Sequence, residues 1–417
     1  MKILLAWRVC DIGGVETWML GLSQALRELG HEVELFFFSR GPFEDSVPDA
    51  QVTHFGDLSA MLKLVYARRY EVVHGATIDW ELGLSAVRAL GPKLVLTGNG
   101  WSDPAWNSSN CDALVGCSNW NAVAQQASTD LPVQMIPNAV DVDRFRPPEA
   151  VGDGPPIVAW VGRGSDLRQK QIDRLAAVAP GLRRLGLRLW IADPDGPGKV
   201  APNVARVLRA EAEFWGGLEP ERMPSFFRDV AASGGCLLST SRYEGLSLAY
   251  IEAQACGCPV VGPDVIGVNE GVRPEHGGVL YPETLAPDSL VQLVQATLHD
   301  EAGMDRRRRA CRRFVESSFS FSKTARDYLL VYGAAPYPRL GGMSGFIRRH
   351  RCSPLVNYRK YVETCWAAGH RQYQTSLDLD LAGEGRLAML AASESLSTCP
   401  TLYLRWRRLA HLIKCLV

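Results

Sequence analysis

The feature that most restricts how this chain can fold is an alternation of short apolar runs with longer stretches of helical period, which halts at a Pro/Gly-rich segment and then restarts. Lys2 to Trp7 reads as a buried strand, followed by the turn Asp11-Ile12-Gly13-Gly14 and a helical apolar pattern from Trp18 to Leu29. Val33 to Phe38, Val72 to His74, Leu94 to Thr97, Ala113 to Gly116 and Val133 to Ile136 read as further strands. Arg146 to Pro156 then has the Pro and Gly content of an interdomain linker. Beyond it Ile157 to Val161, Leu187 to Ile191, Cys236 to Leu238 and Pro259 to Val261 read as strands, with a helix from Ile172 to Leu185 among them. Strands alternating with helices predict parallel sheets, and so an α/β chain with one domain over residues 1–150 and another over 151–335.

The bulk properties agree with two globular domains. A chain of 417 residues exceeds the usual single-domain size, with 47% hydrophobic and 22% charged residues. Lys plus Arg and Asp plus Glu number 45 each, so the total charge gives nucleic acid no attraction as a partner. The eleven cysteines are scattered, and Cys256 and Cys258 lack the spacing of zinc or dithiol sites, which fits reduced thiols in a cytosol. The apolar run at the N-terminus is too short for a signal peptide, and no segment reaches the roughly 18 apolar residues of a membrane span. A cytoplasmic location is therefore expected.

Chemistry concentrates between Arg242 and Val261, where Glu244 and Glu252 stand eight positions apart around a turn that opens an apolar helix. Gly245 and Ser247 mark the turn and the N-cap, which leaves the first helical amides to bind an anion such as a pyrophosphate. At about 1.5 Å per residue, Glu252 sits roughly 7 to 8 Å deeper along the helix, suited to a more remote part of the same ligand. The arrangement suits a nucleotide-sugar.

Five ordered motifs carry a resemblance. They are Gly13-Gly14-Val15-Glu16, Ile136-Pro137-Asn138-Ala139-Val140-Asp141, Val161-Gly162-Arg163 with Lys170, Met223-Pro224-Ser225-Phe226-Phe227, and Glu244 to Glu252 with the flanking Ala255-Cys256-Gly257-Cys258-Pro259-Val260-Val261. Over about its first 335 residues the chain resembles the retaining nucleotide-sugar glycosyltransferases of family 4, which have the GT-B fold. The resemblance implies two facing Rossmann-like domains with parallel sheets, the donor nucleotide mostly on the second and the acceptor mostly on the first. It implies that Glu252 binds the ribose hydroxyls, that Glu244 lies by the transferred sugar, and that the amides of Gly245, Leu246 and Ser247 hold sugar hydroxyls and phosphate oxygens. Arg163 and Lys170 would neutralise the leaving diphosphate, although the family's usual separation is five positions and here it is seven, which leaves Arg168 as the alternative partner. Gly13 and Gly14 would approach the donor phosphates, or else form a tight turn packing helix on strand.

On the acceptor side, His74 and Asn99 stand where the family often carries further histidines, and Trp101, with Trp106, offers an aromatic face for a sugar ring. A single strand-end histidine also suits a purely structural place. Asn99 can hydrogen-bond a hydroxyl but cannot take its proton, which such enzymes do not require of a protein base. No metal or other cofactor is implied, the phosphate charge being met by Arg163, Lys170 and helix amides. The run Asp305 to Arg309 with Arg312 and Arg313 reads as a solvated helix face. Residues 336–417 form a predicted helical extension, and 339–417 within it hold twelve Lys or Arg against five Asp or Glu. Its basic amphipathic segment fits either packing on the first domain or peripheral contact with an anionic membrane, the latter suiting a lipid-linked acceptor. The expected partners are a nucleotide-sugar donor and a carbohydrate or lipid-linked acceptor. Two other readings fit the same fold: a noncatalytic nucleotide-sugar-binding or partner subunit, and a sugar epimerase.

Overall fold

The computed structural model describes residues 1–11, 13–44, 47, 52–76, 84–99, 111–127, 129, 131–152 and 154–334. Trp101, Trp106 and the basic extension lie outside these described residues. The described residues divide into two units, one of Met1–Ile136 with residues 325–334 and one of Pro137–Thr324.

The first unit is a seven-stranded sheet in the order β3-β2-β1-β4-β5-β6-β7, with every pairing parallel. The strands are β1 (Lys2–Val9), β2 (Glu32–Ser39), β3 (Thr53–Phe55), β4 (Val72–Gly75), β5 (Lys93–Gly98), β6 (Ala113–Gly116) and β7 (Val133–Met135). Ile3, Leu4, Leu5 and Ala6 of β1 are all buried, as expected of a central strand covered on both faces. Helix α1 (Gly14–Glu28) lays Trp18, Met19, Leu22 and Leu26 on the sheet. Helix α2 (Leu58–Arg68) starts where the Asp57 side chain accepts from the Ala60 N–H and stops at Arg69, whose φ of 55° is left-handed. Helix α3 (Asn119–Gln126) follows β6 behind the Ser118 cap.

The second unit repeats the scheme with six parallel strands in the order β10-β9-β8-β11-β12-β13. These are β8 (Ile157–Val161), β9 (Arg188–Ala192), β10 (Ala212–Phe214), β11 (Cys236–Leu238), β12 (Val260–Pro263) and β13 (Val279–Tyr281). The helices between them are α4 (Leu167–Lys170), α5 (Ile172–Arg184), α6 (Pro202–Glu211), α7 (Met223–Ala232), α8 (Leu248–Ala255) and α9 (Val268–Gly271). Helices α10 (Pro287–His299), α11 (Glu301–Ser318) and α12 (Phe321–Gly333) complete the described chain.

The segment from Pro137 to the Pro/Gly-rich stretch packs within the second unit. The Asn138 amide donates to the Leu246 carbonyl at 2.8 Å, and Val140 forms a parallel bridge with Ser320. The Arg312 guanidinium donates to the carbonyls of Val142 at 2.8 Å and Ala255 at 2.9 Å, and to that of Phe145. This corrects the reading of the arginine run as one solvated face: Arg306, Arg309 and Arg313 are exposed, whereas Arg312 is a partly buried clamp that ties α11 to the end of α8.

Among the described residues no helix is long and apolar enough to cross a membrane, and no cluster of His, Cys, Asp or Glu is arranged to hold a metal ion.

Candidate functional site

Strand order decides where the site of the second unit forms. It reverses between β8 and β11, which are paired neighbours, and the loops leaving their C-terminal ends therefore meet at a topological switch point. The β8 loop carries Gly162 to Lys170, and the β11 loop carries Ser239 to Ser247. Direct bonds join them: Thr240 Oγ1 donates to the Lys170 carbonyl at 2.7 Å and the Arg242 N–H to the Gln169 carbonyl at 2.7 Å. Trp160 Nε1 on β8 holds Thr240 Oγ1 at 3.0 Å, and Asp193 at the end of β9 accepts the Gly164 N–H at 3.1 Å.

Glu244 is the centre of this arrangement. Its side chain is only 6% exposed, and Lys170 Nζ lies 2.6 Å from Oε1. Ser241 Oγ donates to Oε1 at 2.7 Å, the Tyr250 hydroxyl approaches it at 3.3 Å, and Gln169 Nε2 donates to Oε2 at 3.0 Å. Four donors on one carboxylate hold it in a single orientation. Burial and the nearby Glu244 charge push the Tyr250 hydroxyl well above its ordinary pKa, so it stays a donor.

Ser247 is the N-cap of α8, as the sequence predicts, with its side chain free of a capping bond. The backbone N–H groups of Gly245, Leu246 and Ser247 have no partner among the described residues, which leaves them to an anion or a hydroxyl. Glu252 sits on α8 almost wholly buried, and burial raises its carboxyl to about 7, opposed by the Arg144 charge. No side chain among those described hydrogen-bonds it. Its carboxylate oxygens are therefore open to a ligand or to water.

The other predicted residues distribute unevenly. Lys170, rather than Arg168, reaches Glu244; Arg168 is exposed on α4, and Arg163 is exposed in the loop after β8. Gly13 is the N-cap of α1 with extended backbone, and a Cβ there would lie 2.7 Å from Glu16 Oε2. Glu16 is itself buried and accepts from the Trp7 indole at 2.8 Å, so a side chain at Gly13 would displace the Glu16 carboxylate, while Gly14 is exposed. Asn99, at the end of β5, has both amide atoms buried without a hydrogen-bond partner among the described residues.

His74 must be removed from the acceptor-side candidates. It is 2% exposed, with Nδ1 2.7 Å from the Tyr332 hydroxyl and Nε2 2.7 Å from Thr97 Oγ1. Burial pushes its pKa down to about 3, so the ring is neutral and both nitrogens are taken. Its partner Tyr332 comes from α12, whose Tyr328 hydroxyl also lies 2.9 Å from Thr97 Oγ1.

Gln169, Ser241 and Tyr250 are the site residues that sequence reading missed. Ser241 stands three positions before Glu244 in one loop, and Gln169 adjoins Lys170; proximity to a chemical residue was the available signal.

A doubly wound parallel unit with a carboxylate, a lysine and a bare helix N-terminus at its switch point is a Rossmann-like α/β unit, and two Rossmann-like units in one chain make the GT-B fold. Comparison with known proteins narrows the class. Residues 12–144 match the family "Glycosyltransferase Family 4" and residues 155–300 match "Glycosyl transferases group 1", and the chain belongs to this family of glycosyltransferases. It is 27% identical over 329 residues to a phosphatidylinositol N-acetylglucosaminyltransferase subunit of Arabidopsis thaliana, covering 69% of this chain and 72% of that one. It is 31% identical over 233 residues to the D-inositol 3-phosphate glycosyltransferase of Nocardia farcinica, a match covering 51% of this chain and 50% of the relative. Among solved structures, sucrose-phosphate synthase from Thermosynechococcus elongatus superposes with a TM-score of 0.64 at 18% identity, covering 80% of this chain and 98% of that one. HepE from Anabaena, in complex with UDP-glucose, superposes with a TM-score of 0.65 at 16% identity, covering 79% and 100%.

Proposed function

We propose that the chain transfers a hexosyl unit from a nucleoside-diphosphate sugar to a hydroxyl of a glycan, lipid-linked or small-molecule acceptor, with retention of anomeric configuration. The observation that carries this reading is the Lys170–Glu244 pair beside unpartnered amides at the switch point of the second unit. Glu252 then takes the ribose hydroxyls, its unpartnered carboxyl accepting two neighbouring O–H groups. The amides of Gly245, Leu246 and Ser247 bind phosphate and sugar oxygens in the field of the α8 N-terminus. Gly14 and Asn99 are the first unit's candidates for the donor phosphates and the acceptor.

The bond that breaks joins the anomeric carbon to the leaving phosphate oxygen, and the bond that forms joins that carbon to the acceptor oxygen on the same face. The acceptor proton passes to the leaving phosphate, so no protein base is needed. Negative charge grows on the diphosphate as it departs. Lys170, which has three N–H donors, and Arg163 stabilise that charge, a preorganised donor of this kind being worth about 3 kcal/mol. Glu244, oriented by its four donors, holds a sugar hydroxyl.

The test is a panel of nucleotide-sugars screened by thermal shift, followed by product analysis with the stabilising donor. The reading expects one donor class to raise the melting temperature, and an α-linked donor to give an α-linked product. No stabilising donor, or an inverted product, sinks it.

A further inference from the structure

The segment between Arg163 and Lys170 is two positions longer than the family pattern, and the extra length has a visible use. Asp166 caps α4 by accepting the Gln169 N–H at 3.2 Å, and the helix ends at Gln171, whose φ of 47° is left-handed. This short helical turn presents Gln169 and Lys170 together to Glu244. Gln169 is fixed at both ends: its carbonyl accepts the Arg242 N–H at 2.7 Å, and its side-chain Nε2 donates to Glu244 Oε2 at 3.0 Å.

The hydrogen-bonding capacity of the carboxylate gives this contact its meaning. Each carboxylate oxygen offers about two acceptor positions. Oε1 is already crowded by Lys170, Ser241 and Tyr250, whereas Oε2 receives Gln169 alone among the described residues. One acceptor position therefore remains on Oε2. Donors on Oε1 alone would let the carboxylate pivot; the Gln169 amide fixes its plane and with it the direction of the remaining lone pair.

We propose that Gln169 is a positioning residue that aims the free acceptor position of Glu244 at one hydroxyl of the transferred sugar, and so helps select which sugar the donor carries. The inference rests on the assignment of Glu244 as a sugar ligand made above. A sugar with that hydroxyl in the epimeric position leaves the lone pair unmatched, which is how a polar site rejects a near-isostere.

The experiment compares the full-length wild type with Q169A and the near-isosteric Q169M, which lacks the donor. Calorimetry measures affinity for a nucleoside diphosphate, for its sugar conjugate and for the conjugate of the epimeric sugar; kcat and KM are measured with both conjugates. The expected result is that the wild type prefers one epimer, and that both variants lose about tenfold of that preference, the worth of one hydrogen bond to a charged group. Affinity for the bare diphosphate stays within about twofold. Unchanged epimer preference in Q169A and Q169M overturns this inference and leaves the proposed function standing. A wild type that neither binds nor turns over any nucleotide-sugar overturns both.

Discussion

Lys170 and Glu244 lie 74 positions apart in the chain, yet they meet as a largely buried ion pair, Nζ to Oε1 at 2.6 Å. The contact exists because β8 and β11 are neighbours in the sheet, and it gives the site both its cation and its oriented carboxylate. Under the proposed function K170A removes a charge that stabilises the leaving diphosphate, and kcat is expected to fall about a hundredfold to a thousandfold. Stability is expected to fall by about 2 kcal/mol, less than for an isolated buried pair, because Ser241, Gln169 and Tyr250 remain on the carboxylate. Steady-state kinetics and denaturant unfolding check the two parts. Wild-type turnover in K170A would remove Lys170 from the chemistry.

Glu252 links the site to pH. Its carboxyl is raised from an ordinary 4.5 to about 7, so the folded protein prefers the protonated form. The stability contributed by this preference is complete below about pH 4.5 and is lost as pH rises through about 7, whereas E252Q should lack that decline. A ribose diol donates to the carboxylate and favours its charged form, so nucleotide binding should release a proton and tighten between about pH 6 and pH 8. Calorimetry in two buffers of different ionisation enthalpy measures that release. Binding with no proton exchange would exclude Glu252 as the ribose ligand.

The alternation of strands and helices and the helix start at Ser247 were legible in the sequence, because each rests on local period, whereas the family spacing pointed to Arg168 and did not single out Lys170. Strands β3, β10 and β13 were not read there, although β7 and β11, also three residues long, were. Nor was the contact of Gln169 with Glu244, because strand order rather than local sequence brings them together. His74 stood among the candidates because its position matched the family's, but its hydrogen-bond partners Tyr332 and Thr97 lie 258 and 23 positions away.

His74 ties α12 to β4 and β5 as a neutral ring, and this makes a prediction of opposite sign to that for Glu252. A pKa lowered from 6.5 to about 3 contributes stability that is present above about pH 6.5 and lost as pH falls toward 3. His74→Gln should lose stability at neutral pH by about 2 kcal/mol, from two poorly replaced hydrogen bonds, and show a flatter decline in acid. Its turnover with substrate at a permissive temperature should match the wild type. A collapse of kcat in a folded His74→Gln protein would return His74 to the site.

Arg312 separates the structural part of the basic run from the solvated part. Its guanidinium satisfies the carbonyls of Val142, Phe145 and Ala255 and pairs with Glu316 at 2.6 Å, whereas Arg309 and Arg313 on the same helix are exposed. Ala255 is the last residue of α8, so the clamp holds the far end of the helix that carries Glu252. R312A strands several carbonyls and should cost about 3 kcal/mol, whereas R312K, which lacks the planar fork, should recover only part of that. R309A and R313A should stay within about 0.5 kcal/mol of the wild type. Hydrogen exchange resolved to α8 and to residues 137–146 localises the effect, which a melting temperature does not. Faster exchange in both segments of R312A, with neither changed in R309A, is the expected pattern; equal protection in all three variants would place Arg312 on the solvated face with its neighbours.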